Sequence, residues 1–229
     1  LYWINHIGKF EYHGMLYTYY DSSNAELQRT VFIEYTIYNR DSVTYDSVKL
    51  GMYVDFDLGN ATDDYIGSDT INQGFYAYNA DNFDEGGNGY GSTPPAVGVK
   101  FLNSKINSFV SYSNGNNYNG ASQNADEMHN YLNGLWRDGV AITRGGNGRN
   151  SGGSATKIMF TGNPSTSTGW TELGPPAQLF GDRRVIASIP YFSLLSGEKK
   201  TLSLAISFGE NSTSTAVAAA FPNLQSAWN

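Results

Sequence analysis

The feature that most constrains the fold is a set of stretches in which apolar and polar residues alternate. Residues 29–39 show it best, because a β-branched or aromatic side chain recurs at every second position from Val31. A period of two places alternate side chains on opposite faces of a β-strand. Residues 47–56 and 200–208 are further predicted strands, and turns rich in Gly, Asn and Asp separate such stretches. The pattern predicts a mostly β chain, folded as an antiparallel, jelly-roll-like β-sandwich with long loops and one or two short helices.

Two stretches favour helices. In residues 121–135 apolar side chains recur at helical spacing, and Ser122 or Asn124 can cap the first turn. Residues 216–228 are rich in Ala. No Pro-rich linker divides the chain, and no signal peptide is visible. We therefore expect residues 1–229 to form a single β-sandwich domain, as a mature or excised portion of a larger exported protein.

Composition restricts the partners. The net charge of −7 and the pI of about 4.8 argue against binding to nucleic acid, which needs clustered Lys and Arg. No apolar run approaches the ~20 residues of a transmembrane helix. Cysteine is absent, which excludes disulfides, thiolate metal ligands and a cysteine nucleophile. Few charges combined with abundant Gly, Asn, Ser and Tyr are typical of secreted β-proteins, so we expect an extracellular or cell-surface location.

The strongest chemical signal lies in residues 51–69, where a predicted strand runs into an acidic loop. Its carboxylates, with no base between them, are Asp55, Asp57, Asp63, Asp64 and Asp69. Like charges this close repel one another unless solvent or a cation separates them. Ca²⁺ prefers six to eight oxygen ligands from carboxylates, carbonyls, amides and water. The five Asp residues are therefore predicted ligands of a Ca²⁺ ion.

The loop is not an EF-hand, because the twelfth position counted from Asp55 is Ile66 rather than a bidentate Glu. Mg²⁺ fits less well, since it retains more water. The alternative interpretation is a solvated loop whose Asp side chains cap turns. A second acidic group, at Asp81, Asp84 and Glu85, can belong to the same site, form a second site or be an ordinary loop.

Signals for catalysis are weak. The three histidines show no HExxH spacing, and no GxSxG motif is present. A carboxylate pair for glycoside hydrolysis is conceivable, with Glu34, Glu127 and Glu172 as candidates. We therefore favour a protein without enzymatic activity and retain a polysaccharide hydrolase as an alternative.

Residues 131–148 contain a possible ligand surface. Its predicted members are Trp136, Arg137, Asp138 and Arg144. Aromatic faces and Arg are common in carbohydrate-binding surfaces. The competing interpretation is a core Trp with a local Arg137–Asp138 ion pair. Residues 182–184, Asp-Arg-Arg, are expected to form a structural salt-bridge node.

Several motifs occur together in a recognisable order: FIEYTIYNR, VDFDLGNATDDYIGSD, FYAYN, GYGSTPPAVGVKFL, YLNGLWRDGVAITRGGNG and GDRRVIASIPYFSL. In this order they resemble a module of large secreted or cell-surface proteins of Bacteroidota, which are often exported by type IX secretion. The resemblance covers residues 28–208 and implies export and surface display rather than a reaction. Relatives often carry Cys where this chain has Ser68, a difference that leaves the acidic residues unaffected.

These observations favour a non-enzymatic, calcium-stabilised extracellular β-sandwich module with a structural or adhesive role. A glycan or a surface protein is the expected ligand. The alternatives are a carbohydrate-binding module or lectin, a polysaccharide hydrolase, and a self-assembling filament or sheath subunit.

Overall fold

The computed structural model describes all residues, 1–229. It is mostly β, with 39% strand and 10% helix, which confirms the predicted fold class. The strands are β1 (Tyr2–Ile7), β2 (Phe10–Thr18), β3 (Thr30–Asn39), β4 (Tyr45–Val48), β5 (Gly51–Phe56), β6 (Asp64–Asp69), β7 (Gly74–Asn79), β8 (Ala96–Phe101), β9 (Ser108–Tyr112), β10 (Ile142–Thr143), β11 (Ala155–Thr156), β12 (Arg183–Ser188), β13 (Phe192–Leu194) and β14 (Lys199–Gly209). The helices are α1 (Ala25–Gln28), α2 (Ala125–Leu132) and α3 (Phe221–Ala227), with a single 3₁₀ turn at Pro164–Thr166.

The strands form one large and several small antiparallel sheets. The large sheet has seven strands in the order β1-β2-β3-β14-β8-β7-β6. A three-stranded sheet has the order β5-β12-β9, and β13-β4 and β10-β11 are two-stranded. The long strand β14 pairs with β3 on one side and β8 on the other, so it joins the two halves of the large sheet.

The main core lies between the large sheet and the three-stranded sheet. Phe75 of β7 and Phe109 of β9 are both fully buried, and their ring centroids are 5.4 Å apart. Leu204 of β14 and Val185 of β12 belong to the same core. Apolar side chains from the two facing sheets thus interdigitate, as in a β-sandwich.

A second core covers the other face of the large sheet. Helix α3 and Trp228 pack on Tyr76 of β7, whose ring centroid is 4.1 Å from that of Phe221. The Trp228 indole lies over Gly98, where an added Cβ would come within 2.5 Å of the ring. Strands β6 and β7 are therefore covered on both faces, which explains why all their residues are buried.

Some predicted elements have different bounds. The helix predicted over 121–135 spans only Ala125–Leu132, because the Asn124 side chain caps it by accepting the Glu127 backbone N–H at 2.9 Å. The C-terminal helix begins at Phe221 rather than at 216. The strand predicted over 47–56 is divided between β4 and β5, which belong to different sheets. None of the helices is long and apolar enough to span a membrane.

Candidate metal site

Two acidic clusters flank the end of β5. The strand-end cluster consists of Asp55, Asp57 and Asp182, and one carboxylate oxygen from each lies within 4.8 Å of the others. Asp182 joins it because β12 pairs with β5 in a register that sets Arg184 opposite Asp55. The strand-end cluster could therefore hold a metal ion.

Arg184 already compensates part of this charge. Its Nε lies 3.1 Å from Asp55 Oδ2, and its Nη1 lies 2.8 Å from Asp182 Oδ2. These contacts form the salt-bridge node expected at residues 182–184, although Arg183 pairs elsewhere. Asp55 and Asp57 are exposed, so solvent also screens the cluster. The strand-end cluster thus has less need of a cation than its three carboxylates suggest, although Oδ1 of Asp182 is buried without a hydrogen-bond donor.

The buried cluster consists of Asp63, Asp64 and Asp84, which are 6%, 0% and 1% exposed. Asn60 connects two of its members, because its backbone N–H donates to Asp84 and its side-chain amide donates to Asp63. None of the three carboxylates forms a salt bridge. Buried carboxylates without a basic partner are costly unless they are protonated or bind a cation.

A sharp turn lets Asp84 approach the acidic loop. Gly59 has a φ of +65°, and a Cβ at this position would lie 1.9 Å from Asp84 Oδ2. Asp84 Oδ1 and Oδ2 accept the backbone N–H groups of Asn60 and Tyr90 at 3.0 Å each. Only glycine tolerates both the left-handed backbone and the close approach. Gly59 therefore allows a loop 20 residues downstream of Asp64 to reach the buried cluster.

Several buried oxygens near this cluster have no hydrogen-bond donor. They are Oδ1 of Asp63, Oδ1 of Asp64 and Oδ1 of Asn79. Asn79 lies directly opposite Asp64 in the β6–β7 ladder and is 2% exposed. Buried polar atoms almost always have partners, so unpartnered oxygens on neighbouring residues require an explanation. Carboxylate and amide oxygens are the ligand types that Ca²⁺ prefers.

The electrostatics of the buried cluster are unfavourable without a counter-ion. Burial, together with the charges of Asp63, Asp84 and Asp57, raises the pKa of Asp64 to about 8. Burial, the neighbouring Glu85 carboxyl and the charge of Asp84 raise the pKa of Asp63 to about 6. A bound cation opposes each of these effects because it stabilises the ionised form.

A pH dependence of stability follows from the raised pKa values. In metal-free protein the folded state retains protons that the unfolded chain, with an ordinary Asp pKa of 3.8, has already lost. We expect the free energy of unfolding to fall as pH rises from about 4 to about 8, by about 1.4 kcal/mol per pH unit for each retained proton. Urea unfolding in EDTA across this range measures the slope. Stability that rises or stays level across this range would contradict these pKa values.

Asp69 lies apart from both clusters. Its carboxylate accepts the backbone N–H groups of Ile71 and Asn72 and the side-chain amides of Asn72 and Gln225. Burial acts to raise its pKa, but these hydrogen bonds outweigh it and lower the pKa overall. Of the five predicted ligands, the structure thus brings Asp55 and Asp57 into one cluster and Asp63 and Asp64 into another, and Asp69 organises the β6–β7 turn.

Two members of the acidic clusters, Asp182 and Asp84, are not among the five ligands predicted from the sequence. From the sequence, Asp182 is expected only as part of a salt-bridge node, and Asp84 belongs to an acidic group of undecided role. The signal for Asp84 was its position in a second acidic loop after the next strand of the chain. No comparable signal exists for Asp182, because the β5–β12 pairing joins positions more than 120 residues apart.

The residues predicted to form a ligand surface do not share one. Trp136 is 2% exposed, and its Nε1 donates to Gly148 O at 3.1 Å. Arg137 donates to backbone carbonyls of the 116–121 loop, and Arg144 is exposed. Asp138 pairs with Arg149, at 2.9 and 2.8 Å, rather than with Arg137. The core interpretation of Trp136 therefore agrees with the structure, and the predicted local ion pair does not.

The glutamates considered for hydrolysis have structural partners. Glu127 accepts the Gln123 N–H at the start of α2. Glu172 is 3% exposed, accepts the Ile66 N–H at 2.6 Å and lies 2.9 Å from Arg183. Glu34 lies on β3 in the large sheet. Glu127 and Glu172 thus hold a local backbone N–H and a neighbouring Arg in place.

No family model and no curated protein matches the sequence.

Proposed function

We propose that this chain is a non-enzymatic, calcium-stabilised β-sandwich module with a structural or adhesive role in an exported or surface-attached protein. The observation that supports it best is the buried cluster, where unpartnered oxygens of Asp63, Asp64 and Asn79 lie without a basic residue. Ca²⁺ is the favoured ion because the donors are all oxygens and the loop offers carboxylates, an amide and backbone carbonyls.

The position of the ion gives it a structural role. Asp64 opens β6, Asn79 ends β7, and Asp84 belongs to the loop that follows. One cation would therefore cross-link two paired strands and the loop between β7 and β8. Because the unfolded chain lacks this arrangement, binding stabilises the folded state alone. Such stiffening suits a module exposed to solvent outside the cell, where millimolar calcium sites are common.

The surface location and the adhesive role are supported by sequence. The composition is low in charge, and the ordered motifs resemble modules of exported Bacteroidota proteins. The absence of a paired catalytic constellation among the histidines and glutamates favours a binding or structural role over a hydrolase.

Thermal unfolding with and without calcium tests the proposal. EDTA should lower the melting temperature, and added Ca²⁺ should restore it. At a hundredfold excess over Kd, the ion adds about 2.7 kcal/mol. For a chain of this size that corresponds to a shift of about 5–10 °C. Mg²⁺ at the same concentration is the control and should restore less. Identical melting curves in EDTA and in Ca²⁺ would refute the calcium site.

A further inference from the structure

The two edges of the large sheet differ in how their backbone groups are used. At the β6 edge, the Ile66 N–H donates to the Glu172 carboxylate at 2.6 Å. Two residues further along this edge, the Ser68 N–H donates to Phe160 O at 2.9 Å. Strand β1 forms the opposite edge, and β2 is the only strand that pairs with it. The chain therefore closes one edge of its large sheet and leaves the other open.

The pairing of β1 with β2 defines which backbone groups point away from the sheet. Leu1 and Leu16 exchange both of their backbone hydrogen bonds, at 2.8 Å each. Such pairs alternate along an antiparallel ladder, so the odd-numbered residues of β1 bond to β2. The N–H and C=O groups of Tyr2, Ile4 and His6 therefore point outward. Among them only the His6 N–H has an internal partner, the side chain of the preceding residue at 2.8 Å.

Strand β1 lacks the features that usually protect a sheet edge. Its six residues, YWINHI, include no charged side chain and no proline, and its pairing with β2 contains no bulge. Tyr2, Ile4 and Ile7 are 56%, 51% and 63% exposed. An uncharged strand with exposed apolar side chains and free backbone groups is suited to pairing with a further strand.

A second copy of β1 can pair with this edge in a symmetric register. The residues with outward groups are evenly spaced about Ile4, so an antiparallel copy centred there sets Ile4 opposite Ile4 and Tyr2 opposite His6. Each opposite pair can exchange both backbone hydrogen bonds once the His6 N–H leaves its solvent-exposed side-chain acceptor. Such β-branched and aromatic pairs are favourable across strands. The edge is thus self-complementary, as a two-fold interface requires.

Charge does not oppose this contact, although each chain carries a net charge of −7. Copies of an acidic protein repel each other most where their carboxylates meet. Glu11 is the one acidic residue of β2 and lies opposite His6. Arg40 neutralises it through hydrogen bonds of 2.7 and 3.1 Å to its two carboxylate oxygens. The β1 edge is therefore a place where two copies can approach without like charges facing each other.

We propose that β1 is a dimerisation edge, at which two copies of the chain pair β1 with β1 about Ile4 and join their seven-stranded sheets into one continuous sheet. Because the β6 edge is closed, the assembly stops at two copies and does not grow into a filament. The contact is small, so the dimer should be weak, with a Kd of about 0.1 mM. The inference does not rest on the proposed calcium site.

Sedimentation velocity in Ca²⁺ at chain concentrations from about 10 μM to about 1 mM tests the proposal. We expect a monomer–dimer equilibrium for the wild-type chain. Ile4→Lys sets two like charges opposite each other at the two-fold axis and should leave only monomer. Ile71→Lys is the matched control, because Ile71 is 91% exposed in the turn between β6 and β7, and it should dimerise like wild type. Circular dichroism confirms that both variants fold.

Cysteine variants test the register, because the chain has no cysteine of its own. In a hydrogen-bonded antiparallel pair, opposite Cα atoms lie about 5.5 Å apart, within reach of a disulfide. Ile4→Cys should therefore form a disulfide-linked dimer under mild oxidation, whereas Ile71→Cys should form far less. Tyr2→Cys and His6→Cys should cross-link efficiently only when the two proteins are mixed, because each position lies opposite the other. Non-reducing electrophoresis measures the linked fraction.

Three results would overturn the proposal. One is a wild-type chain that stays monomeric up to about 1 mM. Another is a dimer that persists in Ile4→Lys, which would place the contact elsewhere on the chain. The third is cross-linking of Tyr2→Cys with itself as efficiently as Ile4→Cys, which would exclude an antiparallel pairing centred on Ile4.

Discussion

Above a pH of about 8, Asp64→Asn should melt higher than the wild type in EDTA and should gain little from added Ca²⁺. Asp64 is fully buried, its pKa is raised to about 8, and its Oδ1 has no donor. Asn keeps an oxygen that can accept the Leu58 N–H, a bond of 3.1 Å in the wild type. Above a pH of about 8, where the wild-type Asp64 is ionised, the substitution therefore removes a buried charge without removing that hydrogen bond.

The gain in EDTA and the loss in Ca²⁺ have different physical origins. Without metal, relief of an unpaired buried group is worth about 1–3 kcal/mol, and more when the group is charged. With metal, loss of one carboxylate ligand should remove most of the ~2.7 kcal/mol that a hundredfold excess of Ca²⁺ provides. Differential scanning calorimetry in EDTA and in Ca²⁺ measures both changes, and calorimetric titration measures the affinity.

Two further variants make this result specific. Asp46→Asn removes an exposed carboxylate whose side chain has no hydrogen bond, so it controls for net charge and should respond to Ca²⁺ like wild type. Asp55→Asn alters the strand-end cluster, where Arg184 already pairs with the carboxylate. If Asp55→Asn abolishes the calcium response and Asp64→Asn preserves it, the ion binds at the strand-end cluster and the assignment to the buried cluster is wrong.

Arg183→Met should destabilise the chain by about 3–5 kcal/mol, because it leaves Glu172 buried without its cation. Glu172 is 3% exposed, and its carboxylate accepts hydrogen bonds from the Ile66 N–H and from Arg183. Burial raises the pKa of Glu172, whereas the charge of Arg183 and these hydrogen bonds act to lower it. Removing Arg183 should therefore lower the melting temperature by about 10 °C or more.

A double variant separates the charge from the packing. Glu172→Gln combined with Arg183→Met removes the stranded charge, so it should be more stable than Arg183→Met alone. Arg149→Met is the matched control, since its bidentate pair with Asp138 is much more exposed and should contribute no more than about 1 kcal/mol. Urea unfolding measures all three. If Arg183→Met and Arg149→Met lower the free energy of unfolding equally, burial does not make the Glu172–Arg183 pair more stabilising than an exposed pair.

The sequence by itself determined the local features of this protein. The alternation of apolar and polar residues from Val31 predicted β3, and Asn124 was correctly expected among the residues that can cap α2. Asp55 and Asp57 lie two positions apart at the end of a strand, so their proximity follows from a period of two. These predictions succeeded because each depends on residues within a few positions of one another.

Tertiary structure decided which acidic residues share a site. Asp182 reaches Asp55 through the β5–β12 register, and Asn79 faces Asp64 through the β6–β7 ladder. The sequence around Asp69 is as rich in polar residues as that around the other four Asp residues. Its carboxylate oxygens nevertheless accept hydrogen bonds from the β6–β7 turn and from Gln225 of α3. Strand order and register arise from burial of whole sheet faces, which no local pattern records. The acidic loop could therefore be recognised from its residues, but its division into an exposed strand-end cluster and a buried cluster required the folded chain.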